Sequence, residues 1–461
     1  MAEPVLERTP IPGLLVLRLD LRGDQRGWFL ESWQRAKMTS LGLPDFGPVQ
    51  ANVAFNASRG TTRGLHAEPW DKLVTVVTGS AYGAWVDLRA GETFGTTHTV
   101  DLEPGTAVFV PRGVANGYQT LEDATTYTYL VNDYWRPDLA YVAVNLADPS
   151  LGIAWPVPPA EQTLSDRDRT APRLADVTAM AAPTALVLGA DGQLGRALLE
   201  ALPGARGVTR AELDLGDPRQ LEAWPWRQHD LVLNAAAYTA VDRAETPDGR
   251  RSAWAVNAVA PATLARLAAR HGFTLVHYST DYVFDGTHRE HDEDEPLSPL
   301  GVYGQSKAAG DLAVGTTPRH YLLRTSWVVG DGANFVRTMA RLADEGMSPS
   351  VVADQVGRLS FADEIARATV HLLAQRAAYG VYHVSNGGPP MSWAEVAREV
   401  FRSRGRDPRD VREISTEKYA AGRPIAPRPA SSLLSTRRIE ATGFVPTDAR
   451  TALRSYATEL P

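Results

Sequence analysis

The chain contains no cysteine among its 461 residues. This absence excludes disulfide bonds, thiolate nucleophiles and cysteine-ligated metals, so any chemistry falls to His, Asp, Glu, Tyr, Ser, Thr or Lys. Lysine is also scarce, because nearly all of the 47 basic residues are arginine. A position that keeps lysine is therefore a candidate for a role that needs a compact ammonium. The four lysines are Lys37, Lys72, Lys307 and Lys418.

Long apolar runs are missing as well, and no stretch approaches the roughly 18 residues that suggest a membrane-spanning helix. The first residues show no basic segment leading into an apolar core, so we expect no signal peptide, no membrane partner and a cytoplasmic location. A net charge of −7 gives no electrostatic footprint for a nucleic-acid partner. The length exceeds the size of a single hydrophobic core, which predicts two or three domains.

The two halves of the chain differ in hydrophobic period. Between about residues 14 and 145, short and often alternating apolar segments are separated by Gly, Pro and Asp turns, which predicts an all-β sandwich or barrel. After Pro183, apolar strands alternate with helical patterns, which predicts an α/β fold with a doubly wound parallel sheet. We place a first domain at 1–175, a linker at 176–183 and a second domain at 184–461.

The segment from Arg63 to His66, followed by Lys72, places a histidine, an arginine and a rare lysine close together in strand-like sequence. Taken alone, such a histidine is more often a surface or hydrogen-bonded core residue than a catalyst. In the same way, Tyr134 alone indicates an aromatic residue packed at a strand end, and Asp168 alone indicates a solvated charge.

An ordered series of segments changes this interpretation, because along most of residues 10 to 170 it resembles the dTDP-4-dehydrorhamnose 3,5-epimerase family, which has a cupin-type jelly-roll fold. The matching segments are Arg26-Gly27-Trp28-Phe29-Leu30-Glu31, Gln50-Ala51-Asn52, Arg63-Gly64-Leu65-His66, Lys72-Leu73-Val74, Val86-Asp87-Leu88-Arg89, Asp133-Tyr134-Trp135-Arg136-Pro137, Ile153-Ala154-Trp155-Pro156 and Leu164-Ser165-Asp166-Arg167-Asp168.

The resemblance implies that His66 is a general base oriented by Asp168, that Tyr134 is the acid on the opposite face, and that Lys72 stabilises an enolate oxyanion. It also implies a homodimer formed through the cupin domain. Asn116 stands where the family usually has a second histidine, and the stretch after His66 is altered, which leaves open whether both C3 and C5 are epimerised. The implied substrate-binding residues are Arg26, Phe29, Glu31, Gln50, Asn52, Arg63 and Asn116.

A glycine loop follows the first apolar strand of the second half and opens a helix, which is the context of a dinucleotide-binding loop. Glycines there let the backbone approach a pyrophosphate, and the helix N-terminus favours its charge. The same pattern also occurs for packing reasons alone. The candidate cofactor-binding residues of the loop are Gly189, Gly192, Gln193, Leu194 and Gly195.

Tyr303 and Lys307 are four residues apart and share one face if the segment is helical. A nearby ammonium favours tyrosinate, so this spacing predicts a lowered pKa of the Tyr303 phenol. The alternative interpretation is a solvent-facing helix start.

With Ser279 to Gly286 these residues resemble the extended short-chain dehydrogenase/reductase superfamily, and more narrowly the dTDP-4-dehydrorhamnose reductase family, over nearly all of residues 184 to 445. The narrower match rests on the glycine loop and on Asn234-Ala235-Ala236-Ala237-Tyr238-Thr239-Ala240-Val241-Asp242, Arg324-Thr325-Ser326-Trp327, Asp354-Gln355-Val356-Gly357 and Arg428-Pro429-Ala430-Ser431-Ser432-Leu433. A Rossmann-type domain with a smaller C-terminal substrate-binding region is implied.

This second resemblance implies that Thr280 hydrogen-bonds the C4 carbonyl of the sugar and that Tyr303 protonates its oxygen. Lys307 would tune Tyr303 and hold the nicotinamide ribose, and Trp327 would contact the substrate. NADPH is the expected cofactor, with NADH left open. No metal ligand is predicted, and dependence on magnesium is left open. Further implied cofactor contacts are Ala235, Ala236 and Asp214, although Asp214 equally fits a surface turn.

Together the two resemblances predict a bifunctional enzyme. It would epimerise dTDP-4-dehydro-6-deoxyglucose to dTDP-4-dehydro-L-rhamnose and then reduce this product to dTDP-L-rhamnose. One alternative is a reductase whose cupin domain only binds nucleotide or epimerises a single carbon for another deoxysugar. Another is a regulatory protein that binds a dinucleotide without turnover.

Overall fold

The computed structural model describes residues 4–44, 46–135, 141–181 and 184–460. Two compact units divide between residues 182 and 183. Some residues of the sequence predictions lie outside the described residues. They are Arg136 and Pro137 of the matched segment at 133–137, and the last two residues of the predicted linker. No helix within these described ranges is long and apolar enough to cross a membrane.

The first unit consists mainly of short strands, as its alternating sequence predicts. Its helices are α1 (Arg35–Ser40) and α2 (Asp166–Arg169), with 3₁₀ turns at Pro149–Leu151, Pro159–Glu161 and Leu174–Asp176. The strands are β1 (Val5–Arg8), β2 (Leu15–Arg18), β3 (Leu21–Asp24), β4 (Gly27–Leu30), β5 (Gln50–Asn56), β6 (Thr62–Ala67), β7 (Lys72–Thr78), β8 (Ala81–Asp87), β9 (Thr97–Leu102), β10 (Thr106–Val110), β11 (Val114–Thr120), β12 (Thr125–Val131) and β13 (Val142–Val144).

These strands form two antiparallel sheets, in the orders β1-β2-β10-β7-β12-β5 and β13-β6-β11-β8-β9. The sheets face each other, because residues of both share one buried cluster that includes Val74 and Val108 from the first sheet and Trp85 and Tyr118 from the second. Strands β3 and β4 form a separate two-stranded hairpin, and among the described strands they pair with each other alone. The cupin-type jelly roll predicted from the sequence is confirmed.

Part of the segment predicted as a linker pairs with the first unit. The Met180 N–H donates to the Leu88 carbonyl at 2.7 Å, and the Met180 carbonyl accepts from the Ala90 N–H at 2.8 Å. The chain therefore remains bound to this unit up to residue 180.

The second unit alternates strands with helices. Its strands are β14 (Thr184–Leu188), β15 (Arg206–Val208), β16 (His229–Asn234), β17 (Thr274–Thr280), β18 (His320–Thr325), β19 (Val328–Val329), β20 (Ser350–Val352), β21 (Val356–Gly357), β22 (Ser360–Phe361), β23 (Gly380–His383), β24 (Met391–Ser392), β25 (Arg412–Ile414) and β26 (Ser431–Ser432).

The helices of this unit are α3 (Gln193–Ala201), α4 (Pro218–Ala223), α5 (Val241–Ala244), α6 (Pro247–Trp254), α7 (Ala260–His271), α8 (Val302–Val314), α9 (Phe335–Asp344), α10 (Ala362–Ala374), α11 (Trp393–Ser403), α12 (Thr416–Ala420), α13 (Arg437–Glu440) and α14 (Ala449–Glu459). A π-helix at Ala255–Val259 precedes α7, and 3₁₀ turns lie at Trp226–Gln228, Asp281–Val283 and Pro408–Asp410.

Six of the strands form one parallel sheet in the order β15-β14-β16-β17-β18-β23. Alternate residues of each strand point to opposite faces, so Leu275 packs in a cluster with α7, whereas Val276 packs in a cluster with α3 and α10. The strand order reverses between β14 and β16, which is where doubly wound sheets bind their ligands. The predicted Rossmann-type fold is confirmed.

A third buried cluster of this unit lies among α9, α11 and α14. Val336, Val400 and Leu453 are fully buried there. This cluster forms the smaller C-terminal region that the sequence predicts.

Candidate active sites

The first site is centred on a histidine and an aspartate that are far apart in the sequence. The Nε2 atom of His66, on β6, lies 2.7 Å from the Oδ1 atom of Asp168, on α2. Ser165 caps α2 by accepting the Asp168 N–H, which fixes the start of the helix opposite β6. A Cβ atom at residue 64 would lie 2.8 Å from the Asp168 carboxyl carbon, so only glycine leaves room for this pair.

The Asp168 carboxylate is only 5% exposed. Burial alone raises its pKa, but hydrogen bonds from His66, Ser165 and the Gly64 N–H outweigh that effect and lower the pKa to about 2. The carboxylate is therefore charged at neutral pH, and it can hold the imidazole ring in one orientation.

Asn116 is the neighbour of His66 across the sheet, in register between β11 and β6. Its Oδ1 atom accepts a hydrogen bond of 3.0 Å from the Tyr127 hydroxyl. Tyr127 in turn stacks on Tyr118, with ring centroids 4.0 Å apart. The position that carries a second histidine in the family therefore holds a neutral amide here, which an aromatic pair orients.

Lys72 begins β7 and forms an ion pair with Glu68, which lies in the turn after β6. Its ammonium also lies 5.7 Å from the centre of the Tyr129 ring. Both charged side chains are largely buried. Glu68 was not predicted as a site residue. In an extended strand, two residues four apart are not in contact, and these two side chains meet only because the chain turns between β6 and β7.

The predicted nucleotide-binding residues of this unit form two groups. The first group lies at β5. The Gln50 amide donates to Asn52 of the same strand at 2.9 Å, and the Arg63 guanidinium, on β6, donates to Asn56 of β5 at 3.4 Å. The others lie on or beside the exposed hairpin β3–β4, where Arg26 pairs with Asp24, Glu31 pairs with Lys37 and the Phe29 ring faces solvent.

Tyr134, the predicted acid, follows β12 and is 59% exposed. Its N–H donates to the Asp133 carboxylate. Within the described part of the chain, no hydrogen bond or ring contact joins its side chain to His66 or Lys72. Its assignment as an acid stays a prediction.

In the second unit, the loop after β14 brings backbone unusually close to backbone. Gly189 has φ +75°, and a Cβ there would lie 2.8 Å from the Ala236 backbone. A Cβ at Gly195 would overlap the Gly189 carbonyl. Gly192 precedes α3 and offers no side chain to cap it, so the first N–H groups of α3 are available to an anion. The loop therefore fits a dinucleotide pyrophosphate.

The other predicted cofactor contacts surround this loop. The Ala235 N–H donates to the Leu188 carbonyl at 3.1 Å, which holds the end of β16 beside the loop. Gln193 begins α3, and the Leu194 side chain packs into the sheet cluster. Asp214 lies beyond β15, where it accepts the Gly216 N–H and lies 3.4 Å from the Arg210 guanidinium. This geometry is a surface turn, and a contact with adenosine stays a prediction.

Thr280 ends β17, and both Tyr303 and Lys307 lie in α8, so the predicted helical spacing is correct. Glu245 accepts the Val302 N–H at 2.8 Å and thereby anchors the start of α8. The Lys307 ammonium is buried and donates to the Tyr278 carbonyl at 2.6 Å. Strand β17 and helix α8 together place a hydroxyl, a phenol and an ammonium in one buried region.

The predicted direction of the Tyr303 pKa is wrong. Burial raises the pKa of Tyr303 well above its ordinary value, and the charge of Asp281 adds to the increase, whereas a hydrogen bond with Thr280 acts against it. Burial also lowers the pKa of Lys307 to about 8, although the charge of Asp311 opposes this. Desolvation favours the uncharged phenol, so Tyr303 is a neutral proton donor at physiological pH.

Asp281 is a further buried acid that the sequence did not single out. The Thr280 hydroxyl donates to its Oδ1 atom at 3.0 Å. Burial raises the pKa of Asp281 to about 6. Its only sequence signal is its position directly after Thr280 at the carboxyl end of a buried strand.

A small, open cleft lies beside Tyr303. The Nη2 group of Arg428, next to the cleft, donates to both carboxylate oxygens of Asp242, at 2.9 and 3.0 Å. The residues that line the cleft are Val241, Glu245, Tyr282, Leu300, Gly301, Tyr303, Gly304, Ala426, Pro427 and Pro429. The predicted contact Trp327 stacks on Trp393 at 3.7 Å and adopts φ +48°, a backbone conformation that is rare for a bulky residue.

These folds and sites define the class of protein: a cupin-type isomerase domain joined to a reductase domain of the short-chain dehydrogenase type. Residues 8–176 match the family model described as dTDP-4-dehydrorhamnose 3,5-epimerase, and residues 184–461 match the one described as the RmlD substrate binding domain. The chain belongs to both families and is a fusion of a dTDP-4-dehydrorhamnose 3,5-epimerase domain with a dTDP-4-dehydrorhamnose reductase domain.

Individual relatives support both assignments. The RmlC homolog of Streptococcus pyogenes is 49% identical over 36% of this chain and 87% of that protein. The dTDP-4-dehydrorhamnose reductase of Mycolicibacterium smegmatis is 36% identical over 57% of this chain and 80% of that protein. A crystal structure of dTDP-4-dehydrorhamnose reductase from Bacillus anthracis in complex with NADP is 32% identical, with a TM-score of 0.54, over 59% of this chain and 98% of that chain.

Proposed function

We propose that the two domains act in succession on one sugar nucleotide. The first epimerises dTDP-4-dehydro-6-deoxyglucose at C3 and C5, and the second reduces the C4 ketone of the product to give dTDP-L-rhamnose. The observation that carries this proposal is that one chain holds both the His66–Asp168 pair and the Thr280, Tyr303 and Lys307 set.

In the epimerase domain, His66 is the base. Because its Nε2 atom faces the Asp168 carboxylate, the neutral imidazole carries its proton on Nε2 and uses Nδ1 to take a proton from C3 or C5. The electron pair of the broken C–H bond moves onto the C4 oxygen as an enolate. Lys72 stabilises this oxyanion through its positive charge.

The inverted centre forms when a proton arrives from the opposite face. We assign this step to the phenol of Tyr134, which then regains a proton from water, while the imidazolium of His66 returns its proton to water. The support for Tyr134 is its place in the ordered series of segments shared with the epimerase family.

In the reductase domain, Tyr303 donates its phenolic proton to the C4 oxygen, and Thr280 hydrogen-bonds the same oxygen. The raised pKa of Tyr303 suits this role, because the phenol stays protonated until the ketone oxygen gains charge. Lys307 orients the nicotinamide ribose.

NADPH is the proposed cofactor, since the Bacillus anthracis relative is described in complex with NADP. The close approach of Gly189 to Ala236 and the uncapped start of α3 would hold its pyrophosphate. When bound, NADPH supplies the hydride for C4.

The decisive experiment supplies purified protein with dTDP-4-dehydro-6-deoxyglucose and NADPH in deuterated water. NMR of the product should show deuterium at both C3 and C5 and the L-rhamno configuration. Deuterium at a single carbon would replace the proposal by a single-carbon epimerase, and reduction without exchange would remove the epimerase function.

Two variants separate the domains. His66→Ala should abolish exchange and stop NADPH consumption with the 4-keto-glucose substrate, while dTDP-4-dehydro-L-rhamnose is still reduced. Tyr303→Phe should retain exchange and lose reduction. Unchanged NADPH oxidation in either variant with the 4-keto-glucose substrate would refute the role given to that residue.

We further propose a homodimer formed through the cupin domain, in line with the family resemblance. Strand β5 lies at the edge of its sheet, and the outward side chains of Val53 and Phe55 are exposed, which suits pairing with a second copy. Sedimentation equilibrium of the protein and of Phe55→Arg tests this: dimeric wild type and monomeric variant are expected. Monomeric wild type would refute it. The cytoplasmic location stays a prediction.

A further inference from the structure

A cluster of two histidines and a glutamate lies in the loop between the 3₁₀ turn Asp281–Val283 and α8. The Nδ1 atom of His291 lies 3.0 Å from each carboxylate oxygen of Glu295. The Nδ1 atom of His288 lies 3.3 Å from Glu295 Oε1. Donor atoms of all three residues lie within 4.8 Å of one another, so they converge on one point.

The donor types and their spacing match a transition-metal ion. Imidazole nitrogen and carboxylate oxygen are common ligands of Zn²⁺, at bond lengths of about 2.0 to 2.2 Å. In a tetrahedral site such bonds place neighbouring donors roughly 3.3 Å apart. The separations of 3.0 and 3.3 Å observed here are close to that value. Mg²⁺ and Ca²⁺ prefer oxygen ligands, so two imidazoles disfavour them.

Two of the three ligands are held in place by the surrounding fold. The His291 side chain is 0% exposed and stacks on Phe284 with ring centroids 4.6 Å apart. The backbone of His291 is also held: its N–H donates to the Leu433 carbonyl at 2.8 Å, and its carbonyl accepts the Ser435 N–H at 2.9 Å. The Glu295 carboxylate is 12% exposed.

The third ligand provides access. The His288 side chain is 65% exposed, so the cluster opens to solvent on that side. This arrangement leaves room for an ion to enter and for water to complete a fourth position, as in zinc sites with three protein ligands.

The charges of the loop also favour a cation at this point. Three neighbouring acids are matched by arginines, since Glu290 pairs with Arg437, and both Glu293 and Asp294 pair with Arg438. The Glu295 carboxylate instead faces the two imidazoles.

We propose that His288, His291 and Glu295 bind a divalent transition-metal ion of the Zn²⁺ type. The ion braces the loop that joins the strand end at Thr280 to the helix that carries Tyr303. It takes no part in the chemical step, so the inference is independent of the proposed enzymatic function. It also departs from the sequence, which predicts no metal.

The test uses untagged full-length protein that has been treated with chelator and then titrated with ZnCl₂ against a chromophoric chelator. The expected result is one ion per chain. Binding should weaken at least tenfold in His288→Ala, whose exposed position spares the fold, and in Glu295→Gln. His98→Ala, which removes a histidine on β9 of the other unit, is the matched control and should bind as the wild type does.

A second readout uses thermal unfolding, because an ion that binds only the folded state raises the midpoint. Zn²⁺ should raise the midpoint of the wild type and of His98→Ala, but not that of His288→Ala. The proposal is overturned if the wild type shows no stoichiometric binding, or if His288→Ala and Glu295→Gln bind Zn²⁺ as tightly as the wild type. In that case the three side chains form only a hydrogen-bonded cluster.

Discussion

His66 and Asp168 are separated by 102 residues in the chain, yet their side chains meet at 2.7 Å. The aspartate reaches this position because helix α2 is capped by Ser165 and because residue 64 has no Cβ. Strand β6 therefore supplies the proposed base, His66, and helix α2 supplies the carboxylate of Asp168 that orients it.

Replacing the carboxylate tests whether it positions the base. In Asp168→Asn a neutral amide replaces the charged carboxylate, so the proton of the His66 ring is no longer held on Nε2. We expect deuterium exchange at C3 and C5 of the sugar to slow by roughly 100-fold or more. Deuterium incorporation measured by NMR gives the rate. Reduction of dTDP-4-dehydro-L-rhamnose serves as the control and should be unchanged. Normal exchange in the variant would mean that Asp168 has only a structural role.

The same carboxylate should contribute to acid stability. Its pKa is about 2 in the folded chain against an ordinary 3.8, so its contribution is complete above pH 3.8 and is lost as the pH falls through about 2. This difference corresponds to about 2 kcal/mol.

The free energy of unfolding of Asp168→Asn should therefore lie below that of the wild type at pH 6, and the gap should narrow between pH 4 and pH 2. Hydrogen–deuterium exchange of peptides from β6, followed by mass spectrometry, restricts the measurement to the first unit. A gap that does not vary with pH would show that lost packing, and not charge, destabilises the variant.

The sequence predicts the folds well because both follow from hydrophobic period. Alternating segments become the strands of the first unit, and the loop from Gly189 to Gly195 joins a strand to a helix as expected. The spacing of Tyr303 and Lys307 also predicts one helix correctly. Such features depend on residues that are near one another in the chain, so the local sequence is sufficient.

Other features depend on burial and on distant segments, which spacing does not report. The pKa of Tyr303 rises because the phenol is buried, and the four-residue spacing from Lys307 does not indicate this burial. Glu68 reaches Lys72 only because the chain turns between β6 and β7. His66 and Asp168 could be paired from the sequence only through the family resemblance, since their contact is tertiary.

The buried ammonium of Lys307 should set an alkaline limit to reduction. Its pKa is lowered to about 8, so the positive charge is present below pH 8 and is lost above it. We expect kcat/KM for reduction of dTDP-4-dehydro-L-rhamnose to fall roughly tenfold per pH unit above that point, because kcat/KM reports ionisations of the free enzyme. Tyr303 is not the source of this limb, since its pKa is raised.

Lys307→Arg and Lys307→Met identify the group responsible. Arginine keeps its charge at high pH, so a folded Lys307→Arg protein should lose the limb near pH 8, whereas Lys307→Met should be slow at every pH. Circular dichroism checks that both variants fold. A limb that stays near pH 8 in Lys307→Arg would assign the ionisation to another residue.

Binding of NADPH should depend on Arg210, two residues beyond the end of β15. In doubly wound folds an acid near this position binds the ribose 2′-hydroxyl, whereas an arginine accommodates the 2′-phosphate. Here both types are present, because the Arg210 guanidinium lies 3.4 Å from Asp214 and is exposed to solvent. Arg210→Ala should raise KM for NADPH about tenfold, the worth of one charge-assisted contact, and leave KM for NADH unchanged. Arg219→Ala, an exposed arginine paired with Asp217, is the matched control and should alter neither value. An equal rise in KM for both cofactors would show that Arg210 supports the loop and does not recognise the phosphate.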